Sequence, residues 1–205
     1  DILKNIEDIN GSAHDDYLKG DAGALPGNVI NGEGGNDLIV GNGGYDVLHG
    51  NDGNDSITAV GTWATGGSQL WGDAGDDRLS GGPGDDLMYG GTGDDILNGA
   101  AGVNTMTGGA GHDTFDFQKN LAANAPIDPH DFITDFNKSD DILSLWDSFQ
   151  GNGNNTAVTV GADANGDVQL GFGVTTVVLE GVHNAGWHSV QDLTNAGFHV
   201  TDTHF

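Results

Sequence analysis

Six aspartates recur along the chain at wide, nearly regular intervals: Asp16, Asp37, Asp55, Asp77, Asp95 and Asp113. Three of the five intervals are eighteen residues, and the other two are longer by three and by four. A second series, Asn28, Asp46, Ser68, Asp86 and Asn104, falls midway between the first and is mixed in type. Carboxylates serve as general acids and bases, or as hard oxygen ligands for cations. Either role depends on whether the chain brings successive aspartates together in space.

The residues between them are built to do so. Residues 72–98 read GDAGDDRLS-GGPGDDLMY-GGTGDDILN, one nine-residue unit written three times without a gap. Each copy has a Gly-rich half ending in Asp, then three residues whose middle one is apolar. The register extends back over 50–58, 41–49, 32–40 and 11–19, where His14 replaces a glycine, and forward over 99–107 and 108–116. Blocks 20–31 and 59–71 are longer by three and four residues. The eighth position holds Leu18, Ile30, Ile39, Leu48, Ile57, Leu70, Leu79, Met88, Leu97, Met106 and Phe115, all apolar in a chain that is 36% apolar. Its neighbours are mixed, the period-2 pattern of a short strand with one face buried. The Gly-rich half must turn, since glycine tolerates positive φ and close backbone approach. Strand, turn, strand, turn gives an all-β, flattened coil of parallel strands. Two blocks make one coil, so the six aspartates stack on one edge and the mixed series on the other. Both long blocks bulge from the mixed edge.

Parallel strands stack ~4.8 Å apart and a Ca–O bond is ~2.4 Å, so an ion between stacked turns meets oxygens from both. Without an ion, an aspartate ladder at that spacing repels itself. Asn or Ser would serve a turn as well as Asp, yet one edge is Asp at all six rungs. Ca²⁺ takes six to eight oxygens from carboxylates and backbone carbonyls in flexible geometry. The expectation is about five ions in the gaps of the all-Asp edge, with fewer or weaker ones near Asp46 and Asp86. Zn²⁺ and Cu²⁺ fit poorly, because the blocks offer no thiolate and few imidazoles.

This register resembles the RTX (repeats-in-toxin) calcium-binding nonapeptide family over residues 11–116. The resemblance implies a right-handed parallel β-roll, or β-helix, of nonapeptide repeats. It implies that Gly35, Gly53, Gly75, Gly93, Gly111 and Gly84 add carbonyl ligands. It also implies a chain that leaves a Gram-negative cell through a type I exporter, guided by an uncleaved C-terminal signal. Such a chain is secreted and folds in extracellular calcium.

Composition narrows the partners. The net charge is −26 with five Lys and Arg in 205 residues, which disfavours nucleic acid and anionic membrane. There is no cysteine, hence no disulfide or thiolate site. No apolar run is long enough for membrane insertion. No N-terminal signal-peptide pattern is read, and the start at Asp1 without Met suits a piece of a longer protein.

Outside the repeat, residues 1–10 carry Ile2, Leu3, Ile6 and Ile9 and are expected to cover the open end of the roll, as solenoid ends require. Residues 117–205 are expected to form an antiparallel β cap with a short helix and to hold the secretion signal. In that half, 118–130 reads as a loop, and 131–145 resembles the segment after the roll in serralysin-type proteases and in R-modules of mannuronan C5-epimerases. Residues 156–160, 167–172 and 175–179 alternate as antiparallel strands, 187–196 suits a short helix stopped by Gly197, and 198–205 suits a final strand. Asp163, Asn165 and Asp167 begin like an EF-hand loop, but Val168 and Val174 occupy its Gly and acidic positions, which leaves a hairpin turn. The eight histidines show no metal spacing. Trp63 and Trp71 are read as a loop folded onto the roll, with sugar stacking as the alternative. Val29, Leu38, Val40, Val47, Leu87, Tyr89 and Ile96 point outward, and the C-terminal half is the nearest candidate to cover them.

Neither HExxH nor GxSxG occurs, and the acidic pairs belong to turns, so the chain reads as a non-catalytic module. The leading function is a calcium-triggered folding module of an exported protein. The alternatives are a polysaccharide-binding (alginate-like) R-module and the terminus of an adhesin. A polyuronate site needs cations or bridging calcium, and the roll offers only Lys19 and Arg78 pointing outward.

Overall fold

One apolar residue per nine, flanked by residues of mixed polarity, builds a coil whose interior is two facing columns of side chains. The computed structural model describes residues 8–22, 27–60, 67–117, 130–145, 159–172 and 175–202. Strands β1 (Asp8–Ser12), β3 (Val29–Gly34), β5 (Val47–Asp52), β7 (Gln69–Ala74), β9 (Leu87–Thr92) and β11 (Thr105–Ala110) lie side by side in one sheet. Strands β2 (Tyr17–Lys19), β4 (Leu38–Val40), β6 (Ser56–Thr58), β8 (Arg78–Pro83), β10 (Ile96–Ala101) and β12 (Thr114–Asp116) form the facing sheet. Every neighbouring pair among these is parallel.

The registers align the eighth-position residues in two columns. Ile30, Leu48, Leu70, Met88 and Met106 are partners across the first sheet, and Ile39, Ile57, Leu79, Leu97 and Phe115 across the second. All ten are 0% exposed. Leu18, in the first coil, is only partly buried, because one side of it has no neighbouring coil among the described residues.

The parallel ladders do not stop at residue 116, where the roll was expected to end. Strand β13 (His130–Ile133) pairs parallel with β11, and β14 (Ile142–Leu145) with β12. Strand β17 (Thr175–His183) then pairs parallel with β13, and β18 (His199–Asp202) with β14. Ile133, Leu143 and Leu179 extend the two columns and are 0% exposed. The physical reason is visible in Asp131-Phe132-Ile133 and Asp141-Ile142-Leu143, which keep the Asp-x-apolar half of the repeat without the Gly-rich half. The expected antiparallel arrangement is present where β15 (Thr159–Ala162) and β16 (Asp167–Phe172) add to the free edge of β17. Helix α1 (Val190–Asn195) is capped by the Ser189 hydroxyl, which accepts from the Asp192 N–H at 3.1 Å, and Gly197 follows it with φ 92°.

Asp163 closes a β15–β16 hairpin, its Oδ1 accepting from the Asn165 and Asp167 N–H groups at 2.8 and 2.9 Å. The described C-terminal elements stack on the end of the coil rather than cover its faces, so Leu38 stays 44% and Val29 37% exposed. Trp71 is not in a loop: it lies in β7, its ring stacked between His49 (centroids 4.5 Å, 5° between planes) and Tyr89 (5.8 Å, 12°). Ile9 belongs to β1, already part of the sheet. Ile2, Leu3, Ile6, Trp63, residues 118–129 of the expected loop, residues 156–158 of the expected strand and residues 203–205 lie outside the described residues.

Truncation of Leu97 or Leu143 to Ala should cost about 2–5 kcal/mol, since each leaves a hole in the narrow two-column core. Tyr17→Ala, 63% exposed, should change stability by about 0.5 kcal/mol or less. Urea unfolding at saturating calcium measures all three. A Leu143→Ala loss as small as that of Tyr17→Ala would mean that the coil ends before β14.

Candidate metal centre

The sixth position of each block closes the Gly-rich turn, and its side chain points along the edge of the coil. On the first edge each Oδ1 accepts the backbone N–H of the same position one coil earlier. Asp16 donates to Asp37 (2.8 Å), Asp37 to Asp55 (2.7 Å), Asp55 to Asp77 (2.7 Å), Asp77 to Asp95 (2.8 Å) and Asp95 to Asp113 (3.0 Å). The second edge runs the same way: Asn28 to Asp46 (2.8 Å), Asp46 to the Ser68 hydroxyl (3.2 Å), Ser68 to Asp86 (2.7 Å) and Asp86 to the Asn104 carbonyl (3.0 Å). Both ladders outlast the repeat. Asn104 donates to Asp131 at 2.9 Å and Asp113 to Asp141 at 3.1 Å. These two rungs were missed in the sequence because their separations are 27 and 28 residues, not 18.

One oxygen of each rung is thereby satisfied, and the other is the anomaly. The Oδ2 atoms of Asp37, Asp55, Asp77 and Asp95 on the first edge are buried without a donor; those of Asp46 and Asp86 on the second are buried and accept no well-formed hydrogen bond, although the Gly43 and Gly82 N–H groups lie near enough to pull on these carboxylates. A buried acceptor with no partner is costly, and a buried charge more so. Such an oxygen needs a cation or a proton.

The surroundings fit a cation. A Cβ on Gly32 would overlap Asp37 Oδ2 and also meet the carbonyl oxygen of Gly50 in the next coil. The same pairing holds at Gly50 for Asp55 and Gly72, at Gly72 for Asp77 and Gly90, at Gly90 for Asp95 and Gly108, and at Gly81 for Asp86 and Gly99. Two oxygens that cannot donate to each other therefore converge where only glycine leaves room. These first-position glycines were not singled out in the sequence, although their recurrence was visible there. The expected glycines Gly35, Gly53, Gly75, Gly84, Gly93 and Gly111 occupy the turns with φ of 107–145°. They form columns of their own: a Cβ on Gly53, Gly75, Gly93 or Gly111 would overlap the carbonyl oxygen of the glycine one coil earlier. Among the described residues no three His, Asp or Glu side chains converge on one point. A bound ion would therefore draw mainly on carbonyl oxygens, as hard cations accept.

The fifth position adds a second ladder that sequence reasoning overlooked. On the first edge the Oδ1 atoms of Asp15, Asn36, Asn54, Asp76 and Asp94 accept the N–H of the fifth residue one coil later, at 2.8–3.0 Å. This exposed row points opposite to the buried one. Among the described residues the other edge makes one such bond, from Val103 N–H to Asp85 at 2.9 Å.

The sequence profile of the RTX calcium-binding nonapeptide repeat matches residues 7–24, 27–59, 64–97 and 80–115, together about half of the chain. The chain belongs to the RTX calcium-binding repeat family. Among solved structures, this RTX chain is similar to a subunit of the mannuronan C5-epimerase of Azotobacter vinelandii, at 26% identity and TM-score 0.42, over 63% of this chain and 88% of that one. It is also similar to the extracellular lipase of Serratia marcescens, at 19% identity and TM-score 0.23, over 93% of this chain but 40% of the lipase. No curated protein matches it.

The electrostatics of the RTX ladder follow from burial. Burial pushes Asp77, Asp86 and Asp95 up from 3.8 to about 7 and Asp113 to about 6, against the lowering pull of the N–H groups that each accepts. Asp37, Asp46, Asp55 and Asp141 are raised for the same reason. Groups raised in the folded state stabilise it fully below about pH 4, and that contribution is lost as pH rises through about 7. Two outcomes are expected. In chelator, far-UV β signal should grow as pH falls from 8 to 5. The calcium midpoint should rise over the same interval, because protons compete for the same oxygens. A midpoint independent of pH would mean that these carboxylates do not hold the ion.

Proposed function

We propose that this RTX chain is a non-catalytic module that folds when calcium fills its ladders. The supporting observation is the file of buried carboxylate oxygens that lack any donor. Calcium would neutralise these oxygens and tie each coil to the next. Without it, adjacent rungs repel, in a chain of net charge −26 with 37 glycines to order. Residues 11–116 are assigned as the calcium-binding roll, with residues 1–10 as lead-in and 117–205 as cap and secretion-signal region. In this reading the chain crosses a type I exporter unfolded in low calcium and folds outside a Gram-negative cell, stabilising an exported protein.

A second reading is carbohydrate binding, as in an R-module of a carbohydrate-modifying enzyme. It is favoured by one outward column of the first sheet, where Asn31, His49, Trp71, Tyr89 and Thr107 are aligned across strands. The stacked rings cover one another's faces, so they would offer edge N–H and O–H groups rather than a stacking platform. Net charge −26 opposes a polyuronate unless calcium bridges.

Far-UV circular dichroism through a calcium titration from a chelated start, with Mg²⁺ as control, tests the first reading. A cooperative gain of β signal near millimolar Ca²⁺, absent with Mg²⁺, is expected. A chain fully folded in chelator would refute calcium-driven folding. Affinity electrophoresis of the calcium-loaded chain in neutral and uronate polysaccharide gels tests the second. Retardation should be reduced in Trp71→Ala if the column is the site, and no retardation in any gel would exclude it.

A further inference from the structure

The outward face of the first sheet carries two columns of side chains that the aspartate ladders do not use. We propose that these columns bind one extended, neutral polysaccharide, laid along the coil axis with one sugar residue to each strand. This deepens the carbohydrate reading above and rests on it. The ligand is a linear, equatorially linked chain of hydroxyl-bearing rings without acidic groups.

The spacing of the face carries the argument first. Asn10, Asn31, His49, Trp71, Tyr89 and Thr107 are partners across β1, β3, β5, β7, β9 and β11. Two residues earlier on the last five of these strands, Val29, Val47, Gln69, Leu87 and Thr105 form a second column. Both columns point outward, because side chains alternate along a strand. They lie ~6.6 Å apart, and successive strands lie ~4.8 Å apart. These are close to the width of a sugar ring and to its advance along an extended chain. The six strands span about 24 Å, room for about five residues. Both columns reach solvent: Val29 is 37% exposed and the His49 side chain 30%, and Val47, Trp71, Leu87 and Tyr89 are partly exposed. Val29, Val47 and Leu87 can meet the C–H face of a ring, while the other column meets its hydroxyl rim.

The ring stack decides which atoms meet the ligand. His49, Trp71 and Tyr89 lie nearly parallel, so their edges face outward. Asp73 Oδ2 stands 3.0 Å from His49 Nδ1. A carboxylate only accepts, so Nδ1 carries the hydrogen, and Nε2 of the neutral ring is an acceptor. Trp71 Nε1 only donates, and the Tyr89 hydroxyl does either. The column ends continue the mixture: Asn31 Nδ2 donates to Asn10 Oδ1 at 2.8 Å, and the Thr107 and Thr134 hydroxyls share a bond of 2.8 Å. Mixed donors and acceptors suit hydroxyls, which do both, and not a carboxylate, which only accepts. Charge points the same way. The six strands hold Asp8, Glu33, Asp52 and Asp73 but no Lys or Arg, so a uronate chain meets repulsion and no cation. Lys19 and Arg78 belong to the other sheet. The corresponding column there, Lys19, Val40, Thr58, Ser80 and Asn98, contains no ring.

Isothermal titration calorimetry of the calcium-loaded full chain tests this with four probes. Cellohexaose and β-1,4-mannohexaose are neutral and extended, maltohexaose is neutral but coiled, and a mannuronate hexamer is extended but anionic. Far-UV circular dichroism verifies that each variant is folded. At least one of the two extended neutral probes should bind, more tightly than maltohexaose or the uronate. Trp71→Phe keeps a ring in the stack but removes Nε1–H, and should weaken that binding about fivefold or more. Tyr89→Phe removes only a hydroxyl and should act in the same direction; it decides alone should Trp71→Phe fail to fold. Ser80→Ala, on the opposite sheet, should leave the affinity unchanged. Preference for the uronate or for maltohexaose overturns the extended neutral ligand and leaves the carbohydrate reading standing. So does neutral binding that neither ring variant weakens, which places the site elsewhere. A chain that binds none of the four overturns the carbohydrate reading as well.

Discussion

A carboxylate oxygen sealed from water with no hydrogen to accept is the constraint on which this structure turns. Four of the ladder aspartates carry one, and the surrounding features serve that oxygen. The first-position glycines leave the space beside it, since any side chain there would overlap it. The eighth-position apolar residues hold successive coils in register, so that each rung lies against the next. The remaining carboxylate oxygen is taken up by the N–H of the neighbouring coil, which fixes the side chain and aims its partner inward. Burial without a donor makes the metal-free state prefer protons.

The two edges differ for more than one reason. On the first, the buried row reaches back to the coil before it and the exposed row of fifth-position residues reaches forward to the coil after it. Each turn is therefore tied to both neighbours through side chains as well as strands. Among the described residues, the second edge has the buried row and a single forward bond at Asp85. The three- and four-residue insertions fall on this second edge, and its buried row continues past them unbroken. The aspartates of the first edge thus answer to hydrogen bonding, whatever else they hold.

The far end of the coil is closed by different means. The apolar file runs from Phe115 through Ile133 and Leu143 to Leu179, and an aromatic group seals it. Phe136 lies 6.0 Å from Phe115 and stacks on Phe198 at 5.8 Å, and Trp187 meets Phe198 edge-on at 5.1 Å. With the Asn137–Asp141 turn, where the Asn137 N–H donates to Asp141 Oδ2 at 2.8 Å, this gives the last coils hydrogen bonds and aromatic packing in place of glycine turns. The calcium-dependent part of the fold is accordingly proposed to be the repeat, with the C-terminal coils as the surface on which it stacks.

The nine-residue period by itself determined the parallel coil, the two interior columns, the two edges and the aspartates that line them. This was possible because each block makes the same local choice, with glycine to turn and one apolar residue to bury. The hairpin at Asp163 and the helix before Gly197 were legible for the same local reasons. Tertiary structure alone decided the rest, because it rests on pairings between distant residues. Asp131 and Asp141 join the ladders across 27 and 28 residues, a separation that no fixed period marks. Trp71 became the middle of a stacked column because strand pairing placed His49 and Tyr89 on either side of it. Which carboxylate oxygens lack a donor is also decided in three dimensions. An aspartate whose second oxygen meets the N–H of Asn137 and one whose second oxygen meets only a glycine are the same letter in the sequence, and only the neighbouring coil tells them apart.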